Sequence, residues 1–367
     1  VPALRFPEFT EEWKKIRLGD NCNIQMCKRI MAAQTNTEGG VPFYKIGTIG
    51  GKADAYISKD LFDEYKRKYS YPNKGEVMIT CAGTVGKCVI YDGEDSYYQD
   101  SNIVWIDNPN EIISNDFLYH LLSNINWSYL NSTTIVRIYN DDLRNLKLCC
   151  PRLDEQKKIA NFLSLIDERI AAQNKIIEKL ETLIKGIRHN IFKQLRKDVG
   201  FNATIGNILS FEQPQRYIVS SAEYSSDCTF TPVLTANKAF ILGYTTETDG
   251  IYSKGDCIII DDFTLDCKYV SFPFKVKSSA IKILTAKNKY ILRYTYEYLK
   301  SLELSTEEHK RHYIAEVQPH SCVLPDENTL KTIAMVFENL ACKLADEQSL
   351  VLILNKQKQY LLSKMFI

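Results

Sequence analysis

Gly83-Thr84-Val85-Gly86-Lys87 comes nearest to a chemistry of its own, since two glycines and a lysine at this spacing resemble the end of a phosphate-binding loop. The earlier glycine of such a loop is replaced by Cys81, and Cys88 stands where a hydroxyl would hold Mg²⁺. Asp261-Asp262, with Asp266-Cys267-Lys268 beyond, could be grouped into a nuclease-like acidic cluster, but paired acids in a turn more often cap amides or face solvent. His309 and His312 stand three apart, with no cysteine or acid at zinc spacing. The chain has no GxGxxG, and Asp107-Asn108-Pro109-Asn110 is not the Asn/Asp-Pro-Pro-aromatic loop of a DNA aminomethyltransferase. The chain reads as a binder. No catalytic residue, metal ligand or cofactor is expected.

The elements that would position a binding surface are clearer. From Ile159, steps of four and three residues reach Leu163, Ile166, Ile170, Gln173, Ile177, Leu180, Ile184, Ile187 and Ile191. Nine of these ten positions are aliphatic, a narrow seam that predicts a coiled-coil helix over about 154–197. At 1.5 Å per residue that helix is roughly 66 Å long and needs a partner. The chain carries one. Shifted by 174 residues, the seam recurs as Ile333, Phe337, Leu340, Leu344, Glu347, Val351, Leu354, Lys358, Leu361 and Met365. Pro151 falls on Pro325, and the polar break at Gln173 falls on Glu347. An internal repeat is the first fact about this chain. If the helices cross antiparallel about a local twofold, Gln173 and Glu347 meet and fix the register, with Lys358 as a competing partner for Glu347.

Ahead of each helix lies a stretch of short apolar runs punctuated by Gly, Pro and Asn. In the first, strands are expected at 41–46, 77–81, 87–91 and 103–106, and a helix at 116–123. In the second, Ile205-Gly206-Asn207 echoes Leu18-Gly19-Asp20, Lys254-Gly255-Asp256 echoes Lys74-Gly75-Glu76, and a helix is expected at 290–301. The expected fold is α+β. Two loop-rich α/β domains are joined by two long helices in an antiparallel coiled coil, with a pseudo-twofold internal repeat. The boundaries are 1–150 for the first domain, 151–198 for the first helix, 199–324 for the second domain and 325–367 for the second helix. With 45% apolar and 25% charged residues, the 367-residue chain has the composition of a soluble globular protein. Eleven scattered cysteines without a CxxC pair suggest reduced thiols in a cytoplasm, and no apolar run suits a membrane span. Net charge is +1, so no global basic field draws nucleic acid, although residues 152–197 hold eleven Lys and Arg against six Asp and Glu.

Leu4-Arg5-Phe6-Pro7-Glu8-Phe9, Trp13 with Leu18-Gly19-Asp20, and Pro151 followed by Glu155-Gln156-Lys157-Lys158-Ile159-Ala160 closely resemble the specificity (S) subunits of Type I restriction–modification systems. So do Pro232-Val233-Leu234-Thr235-Ala236-Asn237 and the terminal Leu361-Leu362-Ser363-Lys364-Met365-Phe366. The resemblance implies two target-recognition domains, each reading one part of a bipartite asymmetric site in double-stranded DNA. It further implies helices that act as a ruler and seat two modification subunits, which carry the S-adenosylmethionine chemistry. Restriction subunits would add ATP-driven translocation and cleavage. One departure stands out: the second domain opens with Asn202-Ala203-Thr204-Ile205-Gly206-Asn207 and lacks the Trp-Lys element. The alternatives are a recognition subunit of a related Type II system and a coiled-coil adaptor that binds protein.

With DNA as the expected ligand, polar loop residues beside the apolar runs become the candidates for contact. In the first domain these are Lys45, Thr48, Thr84, Lys87, Tyr98, Gln99, Asn102 and Arg137. In the second they are Asn237, Lys238, Tyr244, Asp261, Asp262, Arg311 and His312. Asn, Gln and Arg offer bidentate contacts to base edges, while Lys anchors phosphate.

Overall fold

The computed structural model describes residues 2–109, 112–130, 137–236, 239–304, 306 and 310–366. They form two compact units, residues 1–172 with 351–367 and residues 173–350, so each unit takes one half of both long helices.

Unit 1 begins with β1 (Lys14–Arg17), α1 (Leu18–Asn21), β2 (Asn23–Gln25), β3 (Val41–Tyr44), β4 (Tyr56–Ile57) and α2 (Lys59–Lys68). It continues with β5 (Val77–Thr80), β6 (Cys88–Ile90), β7 (Tyr97–Tyr98), β8 (Ile103–Asp107), α3 (Asn115–Asn124), α4 (Asn140–Arg144), β9 (Lys147–Cys150) and the long α5 (Leu153–Asp198). An antiparallel sheet of order β2-β8-β5-β6 stands beside a mixed sheet of order β4-β3-β7, and β1 pairs with β9 at the base. The strands β5 and β8 are buried on both faces, which is why they read as continuous apolar runs. Alternation sorts their side chains. Val77, Ile79, Val104 and Ile106 pack with α3, the first turns of α5 and the last turns of the C-terminal helix. Met78, Ile103 and Trp105 face the second sheet and its tyrosines.

Unit 2 repeats this plan. It comprises β10 (Ala203–Thr204), α6 (Ile205–Ile208), β11 (Ser210–Glu212), β12 (Thr231–Leu234), β13 (Ile241–Thr245) and β14 (Cys257–Asp261). Then follow β15 (Cys267–Val270), β16 (Lys275–Val276), β17 (Ile281–Thr285), α7 (Lys289–Ser301), β18 (Ser321–Cys322) and the long α8 (Glu327–Met365). The sheets have orders β11-β17-β14-β15 and β13-β12-β16, and β10 pairs with β18. The offset between the repeats is not constant. It is 187 residues at β2 and β11, 178 at β8 and β17, and 174 from α3 and α7 onward. The loops before the helices differ in length, so the early part of the repeat is faint in the sequence.

The helices α5 and α8 run antiparallel within each unit. In unit 1, Ile159, Leu163 and Ile166 share a core with Leu361, Leu362 and Met365. In unit 2, Ile184, Phe192 and Leu195 share one with Leu330, Ile333 and Phe337. The second domain lacks the Trp-Lys element, yet its start is fixed: the Asn202 amide donates to the Leu324 carbonyl and accepts from its N–H, both at 2.8 Å. Among the described residues, no helix is long and apolar enough to cross a membrane.

Candidate nucleic-acid interface

At one end of the unit 1 sheets, four loops close on each other. The Gly83–Lys87 segment is a hairpin between β5 and β6, not a turn into a helix, so its glycines build no phosphate cradle. Thr80 lies inside this hairpin. Its hydroxyl donates to the Thr84 carbonyl and accepts from the Lys87 amide. The Lys87 ammonium donates to the Ile49 carbonyl, joining the hairpin to the turn that begins at Lys45. That turn is closed by the Thr48 hydroxyl, which accepts from the Lys45 amide at 3.0 Å, and Lys45 pairs with Asp54 at 3.0 Å. Gln99 accepts from the Ile46 amide at 3.4 Å. Cys81, just past β5, donates its N–H to the Asn102 carbonyl and accepts from the Ile138 amide. This places Arg137 at the strand tip, donating to Asn102 Oδ1 at 3.3 Å and to the Ser101 carbonyl at 3.2 Å. Seven of the eight expected residues are thereby brought together. Tyr98 is buried, with its hydroxyl 2.6 Å from Ser96 Oγ and its ring stacked on Tyr44. It supports the second sheet from inside.

Unit 2 has the same framework. Asp262 donates its N–H to the Ala280 carbonyl and accepts at its own carbonyl from the His312 amide, as Cys81 does with Asn102 and Ile138. Arg311 therefore occupies the place of Arg137. It is half exposed, with Nη1 3.9 Å from Asp262 Oδ2. The expected acids are interior. Asp261 caps the following turn, accepting from the amides of Phe263 and Thr264, each at 2.9 Å. Asp262 pairs with buried Lys282 at 3.0 Å and accepts from the Tyr313 amide at 2.9 Å. His312 is buried between Thr306 at 2.9 Å and Glu316 at 2.7 Å. Burial makes Asp261, Asp262 and His312 braces of the loop that carries Arg311, not contact residues of their own. Tyr244 lies on β13, bridged to Ser225. Asn237 and Lys238, like His309, lie outside the described residues. No group of three or more His, Cys, Asp or Glu suited to a metal occurs among the described residues.

Residues 10–182 match the family described as the Type I restriction modification DNA specificity domain. This stretch, just under half of the chain, carries the likeness to the Type I specificity family. A Haemophilus influenzae protein named as a type I restriction enzyme specificity subunit is 49% identical over 172 residues, 47% of this chain and 44% of that protein. The Escherichia coli EcoR124I/EcoR124II specificity subunit is 44% identical over 141 residues, 36% of this chain and 35% of that protein. The matched stretches thus span less than half the length of these relatives. A crystal structure of the S subunit of a Type I restriction–modification system from M. genitalium shares the fold, with a TM-score of 0.67 at 18% identity. The match covers 100% of this chain and 99% of that one.

In this chain, each domain is locked to the helices by a polar cluster, and the two clusters differ. In unit 1, His120 of α3 meets Ser164 Oγ at 3.2 Å and lies 3.9 Å from Asp167, which pairs with Lys358 at 2.5 Å. Burial pushes the His120 imidazole down to about 4, against the opposing pull of Asp167. In unit 2, Arg188 donates two bonds to Glu297 of α7, and Arg293 bridges Glu297 and Glu338, each at 3.4 Å. The polar seam residues meet as the register requires: the Gln173 amide donates to Glu347, whose carboxylate also pairs with Lys343. Lys343 first and Gln173 second hold the Glu347 carboxyl below its usual range. Lys358, the competing partner, is engaged by Asp167 instead.

Proposed function

We propose that the chain is the non-catalytic DNA-reading subunit of a Type I restriction–modification complex. Each unit reads one half of a bipartite, asymmetric site in double-stranded DNA. The paired helices set the half-site spacing and seat two modification subunits, which supply the methyl transfer; restriction subunits join the same complex. The carrying observation is that Arg137 and Arg311 occupy one framework position in two units of identical strand order, amid different neighbours. Such a pattern suits one docking geometry used on two different base sequences. Arg137 with Asn102, Gln99, Lys45, Thr48, Thr84 and Lys87 forms the first contact surface, and Arg311 with Asn237, Lys238 and Tyr244 contributes to the second. The test is an exchange of residues 1–150 for the same domain of a relative, followed by mapping of methylated sites in cells that also express the modification subunit. One half of the site should change while the other half and the spacing persist. A change in both halves would overturn modular reading, and methylation or cleavage by the purified chain alone would overturn its non-catalytic role.

A further inference from the structure

A pair of cavities repeats at the offset of the helices. In unit 1, a cavity of about 220 Å³ is lined by Asn108, Ile113, Ser114, Asn115, Leu153 and Lys157. In unit 2, a cavity of about 530 Å³ has Lys287, Asn288, Glu327 and Lys331 in its wall, together with Tyr290 and Leu324. Four of these positions coincide at the 174-residue offset: Ile113 with Lys287, Ser114 with Asn288, Leu153 with Glu327, and Lys157 with Lys331. Each cavity lies between the capped start of the domain helix and the first turns of the long helix. The reading tips diverge in charge between the units, but this cavity keeps a lysine at one place.

We propose that the two cavities are equivalent docking sites for two copies of one protein partner, the modification subunit of the preceding section. Each copy would insert an apolar side chain flanked by a carboxylate. The proposal rests on the reading that such subunits are partners. Recurrence in both repeats suits a partner met twice in the same way, and the retained lysine suits an acidic group beside the apolar one. Lys157 and Lys331 are exposed, and neither forms an ion pair among the described residues; Lys331 lies over the Tyr290 ring. A DNA phosphate is the poorer occupant. The helix starts are already served by Ser114, Asn288 and Asp326, and Asp154, Glu155 and Glu327 put negative charge in the adjoining turns.

The test uses the full chain co-expressed with the modification subunit encoded beside it, with copies per complex counted by native mass spectrometry. Wild type should hold two copies, Lys157→Glu and Lys331→Glu one each, and the double variant none. Both lysines are exposed, so thermal melting of the variants should match wild type. DNA affinity of the chain without partner should also be unchanged. Two copies retained by both single variants would overturn the proposal. So would a fall in DNA affinity of the partner-free variants, which would mark a phosphate site. A wild-type chain that binds no modification subunit would instead overturn the partner reading on which the proposal rests.

Discussion

The tips of the two central strands solve one problem with opposite chemistry. In unit 1, buried Cys81 follows β5, and buried Val104 lies on the neighbouring strand. Burial pushes the Cys81 thiol up to about 12, so it stays neutral. In unit 2, the equivalent positions are Asp262 and Lys282, an ion pair at 3.0 Å with both side chains almost fully enclosed. The backbone framework is unchanged. The difference shows that the fold tolerates either a neutral or a charged interior here, while the arginine beside it is kept. The neutral tip leaves Arg137 on uncharged acceptors, whereas Arg311 shares its carboxylate with a nearer lysine.

The sharpest way to break this comparison is to transplant the pair. Lys282→Val alone leaves the buried Asp262 carboxylate with Arg311 3.9 Å away in place of its close cation, and Asp262→Cys alone leaves the buried Lys282 ammonium on the neutral Gln213 side chain at 2.9 Å. Each should cost about 3–5 kcal/mol. The double variant, which installs the unit 1 pair, should cost less than either single change, although the Tyr313 amide loses its acceptor. Chemical denaturation of the three variants measures this. Additive losses would show that the two units are not interchangeable at this point.

A pH titration sharpens the contrast at the domain–helix joints. The folded His120 has its pKa near 4, against about 6.5 in an unfolded chain. The unfolded state therefore binds a proton that the folded state refuses. Stability is complete above pH 6.5 and falls toward pH 4, by up to about 3 kcal/mol. At the corresponding place in unit 2 stands Tyr294, whose hydroxyl donates to the Val323 carbonyl at 2.5 Å and carries no charge in this range. Unit 1 should loosen first, as seen by hydrogen exchange at pH 5, and His120→Gln should remove that part of the acid sensitivity. Equal loosening of both units would refute the assignment.

The arginines come next. Arg137→Ala and Arg311→Ala should each weaken DNA binding by about 1–3 kcal/mol and relax preference in one half of the site only. Selection from random-sequence DNA followed by sequencing reads both quantities. If Arg311→Ala leaves affinity and preference untouched, its role as a reader is lost.

Long-period features were legible in the sequence, and short-range closures were not. The seam predicted a helix over 154–197, and α5 spans Leu153–Asp198. The runs expected at 41–46, 77–81, 87–91 and 103–106 became β3, β5, β6 and β8, and the two most continuous, β5 and β8, are apolar because they are buried on both faces. The helix α2 was missed, although Ser58 caps it by accepting from the Leu61 amide. Its ten residues lie among aromatic runs that suggest strand. Lys282 sits between isoleucines in β17, where alternation suggests a solvent-facing lysine; its partner Asp262 is twenty residues away and invisible to spacing. Candidate contact residues came together for the same non-local reason: Ile46 meets Gln99 across 53 positions.

The smallest expected effect concerns a place where equivalent residues of the repeat touch each other. Gln173 and Glu347 stand 174 positions apart and are hydrogen-bonded in unit 2. Aliphatic residues flank both along the seam, so a slip of the helices would set each polar group against an apolar neighbour. A polar seam residue lowers stability while fixing register. Lys343 adds an exposed ion pair of small worth to Glu347. The double change Gln173→Leu with Glu347→Leu should therefore raise stability slightly, since both side chains lie largely covered in the seam. If the pair holds the helices at one register, the spacing between methylated half-sites should relax in the same variant. A more stable protein with unchanged spacing would leave register to the apolar contacts and to the Asp167–Lys358 ion pair, which binds the same two helices in unit 1.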